Sequence, residues 1–305
     1  MKIAYLISAF KDPQHLKNLV KALDSEGCMF FIHVDRKMDI RHFKNRFRQD
    51  NVVFIKDRVF VYWATYSQVV FQMKLIKAAL DYGIAFDKLF MLSGQDYPLW
   101  SNDRIHQWVE QTKGKDMISG ICIDSDEVAE KNKQIYRLCR PQTDIRWIGA
   151  QFNSLVSKTI RKTLKTIGIR KELSLNVNGK IWHLYKGSDY FAITLDTARF
   201  VFDTLNANKE IQEYFESSFA PSETCIHTIL FNNPEYAAKA NLHKGPYKSL
   251  AALTPLHHIV YDPIIKVWTN DDYDELISSD KMFARKFETG ISDSLIEHLN
   301  HSFQR

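Results

Sequence analysis

Cysteine is scarce and unpatterned: four stand at 28, 122, 139 and 225, with no C-x-x-C pair. That spacing builds neither a zinc module nor a disulfide scaffold, and it points to a reducing compartment. No apolar run approaches the roughly 20 residues that span a bilayer. The first apolar stretch, Ile3 to Phe10, meets Lys11 and Asp12 instead of a small-residue cleavage site. It reads as a strand, not a signal peptide. A strong charge of one sign is also lacking. Lys plus Arg (41) against Asp plus Glu (36) leaves +5, too mild to call for nucleic acid. It suits a phosphate-bearing small molecule or an anionic membrane surface equally. There is no internal repeat and no Ser/Gly-rich linker. These absences describe a soluble, cytoplasmic chain, with peripheral contact to an inner membrane left open.

What is present is an ordinary globular composition: 305 residues, 45% apolar, 25% charged and 13% aromatic. The length fits one large domain or two modest ones at about 150 residues each. The first third alternates strand and helix patterns. Strands are expected over Lys2–Ser8, Met29–Asp35, Val52–Ile55, Val59–Tyr62, Lys88–Leu92 and Met117–Ile123. Helices are expected over Pro13–Asp24, Ser67–Leu80 and Asn102–Gln111, from apolar residues at helical spacing such as Leu16, Leu19, Val20 and Leu23. Such alternation implies an α/β fold with a mostly parallel sheet flanked by helices. The second half is less regular: Lys180–Lys186 and Asp189–Thr194 read as paired strands, and Ser222–Phe231 as a helix. The expectation is a single Rossmann-like domain over 1–305, with 1–123 its regular half and 124–305 the less regular one.

Ligands of such sheets sit beyond the carboxyl ends of the strands. MFFIHVDRK puts His33, Asp35 and Arg36 at one such end, where they either read a nucleoside and its phosphate or cap the following turn. KLFMLSGQDYPL ends in Ser93, Gly94, Asp96 and Tyr97; Gly94 would let backbone approach a ligand, while Asp96 and Tyr97 supply a carboxylate and a ring. Asp124 and Asp126 follow another strand and make either a divalent-cation pair or a polar helix start. In GSDYFAIT, Ser188 could bond a sugar hydroxyl and Tyr190 wall a pocket. FAPSETCIHTIL places Glu223 at a helix entry behind Pro221, with Ser222 a cap, as a charged base or a plain capping acid. FARKF offers Arg285 and Lys286, which clamp a diphosphate or are a solvated pair. Residues 155–171 form a basic amphipathic helix that lies on anionic lipid or faces water.

Taken in order, HVDRK, Trp63 with its helix, LSGQDYPL, GSDYFAIT, APSET and FARKF resemble the core-2/I-branching glycosyltransferase family, which holds β-1,6-N-acetylglucosaminyltransferases and peptide O-xylosyltransferases. The resemblance covers nearly the whole chain. It implies a glycosyltransferase-A type fold and an inverting transfer of GlcNAc or xylose from a UDP-sugar to a glycan hydroxyl. It implies no catalytic metal, since the equivalent strand end reads Ser93-Gly94-Gln95-Asp96, and so counts against Asp124 and Asp126. Glu223 matches the family's general base and Lys286 its diphosphate-binding lysine; Lys266 is the partner cation, with Arg285 in reserve. Arg140 and Trp147, with Arg137 and Arg146 nearby, would face the acceptor. Lacking an anchor and disulfides, the chain looks like a bacterial, intracellular relative serving surface-polysaccharide synthesis. Two other readings stay open: a glycoside hydrolase using Asp96 and Glu223, and a non-catalytic nucleotide- or glycan-binding module.

Overall fold

The computed structural model describes residues 1–144, 150–261 and 264–303. Four parallel strands form its centre: β1 (Ile3–Ala9), β2 (Cys28–Val34), β3 (Val52–Phe54) and β4 (Lys88–Ser93). They lie in the order β3-β2-β1-β4, and Phe191–Ile193 adds antiparallel to the outer edge of β4. Side chains alternate across this sheet with period two. Ile3, Tyr5 and Ile7 face the helices Pro13–Leu23 and Asn102–Gln111, whereas Ala4 and Leu6 face the helix Ser67–Asp81. Both faces are covered, which is why β2 is buried at every position. The α/β class expected from the alternating pattern is the one observed.

Two helix starts follow from local chemistry. Asp12 accepts the His15 amide at 2.9 Å ahead of Pro13, and the Ser101 hydroxyl accepts the Arg104 amide. Both fill orphan donors of a first turn. The register of the sheet then sets the site. Ser8 on β1 lies beside His33 on β2 and beside Ser93 on β4, so three polar side chains come level where the strands end.

Two sequence expectations fail here. Val59–Tyr62 is no strand, because its amides are taken by side chains. Val59 donates to His33 Nε2 at 3.1 Å and Val61 to Asp35 Oδ1 at 3.4 Å. Lys180–Lys186 and Asp189–Thr194 do not pair with each other either. Lys180–His183 pairs with Ser174–Val177, Tyr185–Gly187 with Ser119–Cys122, and Phe191–Ile193 with β4. The alternation was legible there, but the partner was not.

A smaller sheet closes the C-terminal part onto the core. Phe283–Arg285 runs antiparallel to Asp96–Pro98 and parallel to His257–Ile259, with Arg285 directly opposite Asp96. On the other side the helix Cys225–Phe231 presses onto Ser119–Cys122 and Tyr185–Gly187. A Cβ at Gly187 would stand 2.1 Å from His227 Nε2 and 2.1 Å from the Ser119 carbonyl oxygen. Backbone and a fully buried ring leave no room, so Gly187→Ala is expected to destabilise the fold by about 2–3 kcal/mol or more, read by urea or thermal unfolding. Wild-type stability would show that this contact relaxes without strain.

Candidate active site

A cavity of about 560 Å³ opens where the parallel strands end. Its floor is Ser8, Leu92 and Ser93; one wall is the end of β2 with Val61–Trp63, and the opposite wall is Asp189, Tyr190 and Arg285. The helix Ala150–Thr166 roofs it through Asn153, Ser157 and Arg161. This is the place that a mainly parallel sheet provides for a ligand.

The β2 wall is organised by His33 and Asp35. The His33 ring is buried, stacks on Phe71 at 5.5 Å, and accepts the Val59 amide through Nε2. Burial above all pushes its pKa down to about 4, so the ring is neutral at pH 7 with its proton on Nδ1. Asp35 accepts the amides of Lys37 (2.9 Å) and Val61, and its other oxygen meets Lys37 Nζ at 3.2 Å. Both residues line the cavity, and they also hold the Val59–Val61 strap. Arg36 does not line it: its guanidinium lies over Phe60 at 5.2 Å.

Asp96 is placed beneath the cavity, not in it. It is fully buried and takes three donors: the Ser93 amide at 2.7 Å, His257 Nε2 at 3.1 Å and Arg285 Nη1 at 3.0 Å. Burial pushes the carboxyl up, but His257, Arg285 and the Ser93 amide outweigh it and hold it below the usual range. Arg285 is thereby fixed across the strand pair. Its guanidinium lies over Tyr190 at 5.2 Å, and its buried Nε has no partner. Burial works against its charge, yet Tyr190 and Asp96 more than offset that. The structure thus brings Arg285 to the cavity wall as a permanent cation.

Glu223 does not line the cavity itself; it stands behind the wall, close enough to Asp189 for its charge to act there. It lies in the short 3-10 turn Pro221–Glu223, ahead of the helix Cys225–Phe231, and not within the helix's first turn. Its charge partner is the buried Lys186, whose Nζ bonds Oε2, with Tyr136 Oη at 3.4 Å from the same oxygen. Desolvation opposes the Lys186 charge, but Glu223, Tyr136 and Tyr247 prevail and raise its pKa. Ser222 caps no helix; it bonds Asp189. Asp189 lines the cavity with its Oδ1 shut from solvent and unpartnered. Burial first, then the Glu223 charge, raise its pKa. Asp189, Lys186 and His257 were not read from the sequence. The signal for Asp189 was its place between Ser188 and Tyr190; Lys186 and His257 gave none, since pairing across 37 and 161 positions leaves no local pattern.

Other candidates lie elsewhere. Lys286 is held by Glu288 at 3.0 Å, which also binds Lys11, and does not line the cavity. Lys266 is bound by Asp272 at 2.7 Å and packs over Trp268. Tyr97 turns away, donating to Asn300 at 2.8 Å within the Trp268–Phe287 cluster. Ser188 is buried and accepts the Tyr190 amide. Gly94 permits a close approach, but to Ala9, whose Cβ would be 3.2 Å from an added Cβ. Asp124 and Asp126 are exposed on a turn outside the cavity, and no His/Cys/Asp/Glu group with metal-ligand geometry occurs among the described residues. Arg140 does line the cavity, paired with Asp144 at 2.8 Å. Trp147 and Arg146 fall outside the described residues.

The Core-2/I-Branching enzyme family model matches residues 3–246 of this chain. The chain belongs to that family. Among curated relatives, xylosyltransferase 2 of Canis lupus familiaris is 25% identical over 98% of this chain and 33% of its own length. The human N-acetyllactosaminide beta-1,6-N-acetylglucosaminyl-transferase is 22% identical over 97% of this chain and 71% of its own. The chain therefore spans about a third of the xylosyltransferases it matches. A solved 4-diphosphocytidyl-2C-methyl-D-erythritol synthase from Anaerococcus prevotii aligns over 100% of this chain and 96% of its own at 10% identity, with a TM-score of only 0.38.

Asp189 gives this family member a pH signature. Its native pKa is raised, so the folded chain keeps that proton to higher pH than the unfolded chain does, and stability falls as pH rises through that interval. Asp189→Asn, which keeps a Ser222 partner, is expected to lose this fall and to gain about 1 kcal/mol or more over wild type at alkaline pH. Thermal unfolding across pH checks it. A variant less stable at every pH would contradict the assignment.

Proposed function

We propose that this chain moves a sugar from a UDP-sugar to an acceptor hydroxyl, with inversion and without a catalytic metal. The observation that carries this is Arg285, a cation in the cavity wall held in place by buried Asp96. A fixed cation of that kind takes up the negative charge that grows on a leaving diphosphate. The nucleoside end would lie against the His33–Asp35 wall. Lys286 would join at the rim by exchanging Glu288 for phosphate.

Glu223 is the base in this scheme. Lys186 and Tyr136 occupy Oε2, which leaves Oε1 for the acceptor hydroxyl. As that hydroxyl oxygen bonds to the anomeric carbon, its proton passes to Glu223, and UDP departs from the opposite face with the bonding electron pair. A single displacement inverts the anomeric centre. The names of the relatives support xylose or GlcNAc as the sugar. A hydrolase built on Asp96 and Glu223 is disfavoured, because Asp96 has no exposure and three donors already.

Glu223→Gln is expected to bind UDP as wild type does in a thermal-shift assay, while transfer falls by about 10²–10⁴-fold. Transfer at the wild-type rate would remove Glu223 from the role. Chelation by EDTA is expected to leave wild-type transfer intact; loss of activity restored by Mn would contradict the metal-free scheme.

A further inference from the structure

The roof helix Ala150–Thr166 exposes more apolar surface than a helix that merely packs on its own protein. Such a helix turns its apolar stripe inward and its polar face to water. Here the inward face is mixed: Asn153 and Ser157 are buried against the cavity, Val156, Ile160 and Leu164 are half-buried beside them, and Arg161 reaches over Phe219. The outward face carries Phe152, Leu155 and Ile167, exposed by 53%, 60% and 63%. With Thr159 and Thr163 these recur at three- and four-residue spacing, one stripe of a helix. The ladder continues past Thr166, since Ile167 donates to Thr163 and Ile169 to Leu164, which puts exposed Ile169 beyond the stripe's end.

Cations flank the stripe. Lys162, Lys165 and Arg170 are exposed, Lys158 stands at the cavity edge, and no Asp or Glu occurs between 150 and 171. Arg170 bonds Gln134 at 3.2 Å, which brings the helix Glu130–Tyr136 alongside with exposed Ile135 and Lys131. An apolar stripe edged by cations is complementary to a layer whose surface is anionic and whose interior is hydrocarbon. Nucleic acid would match the charges but not the exposed Phe, Leu and Ile.

We infer that the outward face of this helix, continued through Ile167 and Ile169, is a docking surface for an anionic phospholipid bilayer. Docked this way, the roof of the cavity lies against the membrane. The inference concerns lipid and does not rest on the proposed transfer, so the two stand or fall separately.

Cosedimentation with vesicles tests it, comparing phosphatidylcholine alone with an equimolar mixture of phosphatidylcholine and phosphatidylglycerol. The full chain is expected to sediment with the mixed vesicles at low salt, to be released at high salt, and to ignore phosphatidylcholine. Lys162→Glu with Lys165→Glu is expected to weaken binding by about twentyfold or more, at roughly fivefold for each cation lost. Phe152→Ser with Leu155→Ser should weaken it as well. The charge-matched control, Lys17→Glu with Lys21→Glu on the helix Pro13–Leu23, should bind as wild type. Thermal melts confirm that each variant is folded. Absent binding, equal binding to both vesicles, or equal losses in the 162/165 and 17/21 variants would overturn the inference.

Discussion

The buried carboxylate of Asp96 is the interaction on which the rest of the site depends. A charge with no exposure survives only when it is paired and hydrogen-bonded, and breaking such a pair typically costs about 3–5 kcal/mol. Here the partners come from three parts of the chain: the Ser93 amide at the end of β4, His257 on one short strand and Arg285 on another. One side chain thus joins the Rossmann-like sheet to the C-terminal strands at the level where the cavity opens. The same bond aims the Arg285 guanidinium. Cavity architecture and electrostatics are therefore set by one group that no ligand can touch.

A second charged array lies on the neighbouring wall, and its members constrain one another. Lys186, Glu223 and Asp189 lie together, two acids sharing one cation. Lys186 is committed to Glu223, and Asp189, left with burial and a nearby negative charge, holds its proton more tightly than an ordinary carboxyl. Environment, more than residue type, decides how tightly Asp189 holds its proton. Gly187, next to Lys186 in the chain, lets the strand lie against His227. Packing and charge are one problem at this wall.

Local signals were enough to read much of this chain. The Pro13–Leu23 and Asn102–Gln111 helices announce themselves by apolar spacing and caps, and β1, β2 and β4 by continuous apolar runs, because those patterns arise from residues close in sequence. His33, Asp35, Ser93, Tyr190, Arg285 and Glu223 were legible as chemistry at strand or helix ends, and all come to the cavity or its flank. Long-range pairing was not legible. Nothing near Asp96 says that its oxygens are spent on residues 161 and 189 positions away, so a buried anchor reads as a ligand. Lys286 and Lys266 read as free cations for the same reason: Glu288 and Asp272 neutralise them through contacts that spacing alone does not reveal. Tyr97 lies two residues from Leu99 in the same cluster, and its ring follows that cluster instead of the cleft.

In the proposed transfer, Arg285, steadied by Asp96, meets the diphosphate where other designs use a metal ion. A crystal structure of the chain with uridine diphosphate tests it most directly. The account requires the Arg285 guanidinium within hydrogen-bond distance of the β-phosphate, its link to Asp96 intact. A diphosphate bound through a divalent ion at Asp124 and Asp126, with Arg285 out of reach, would contradict it.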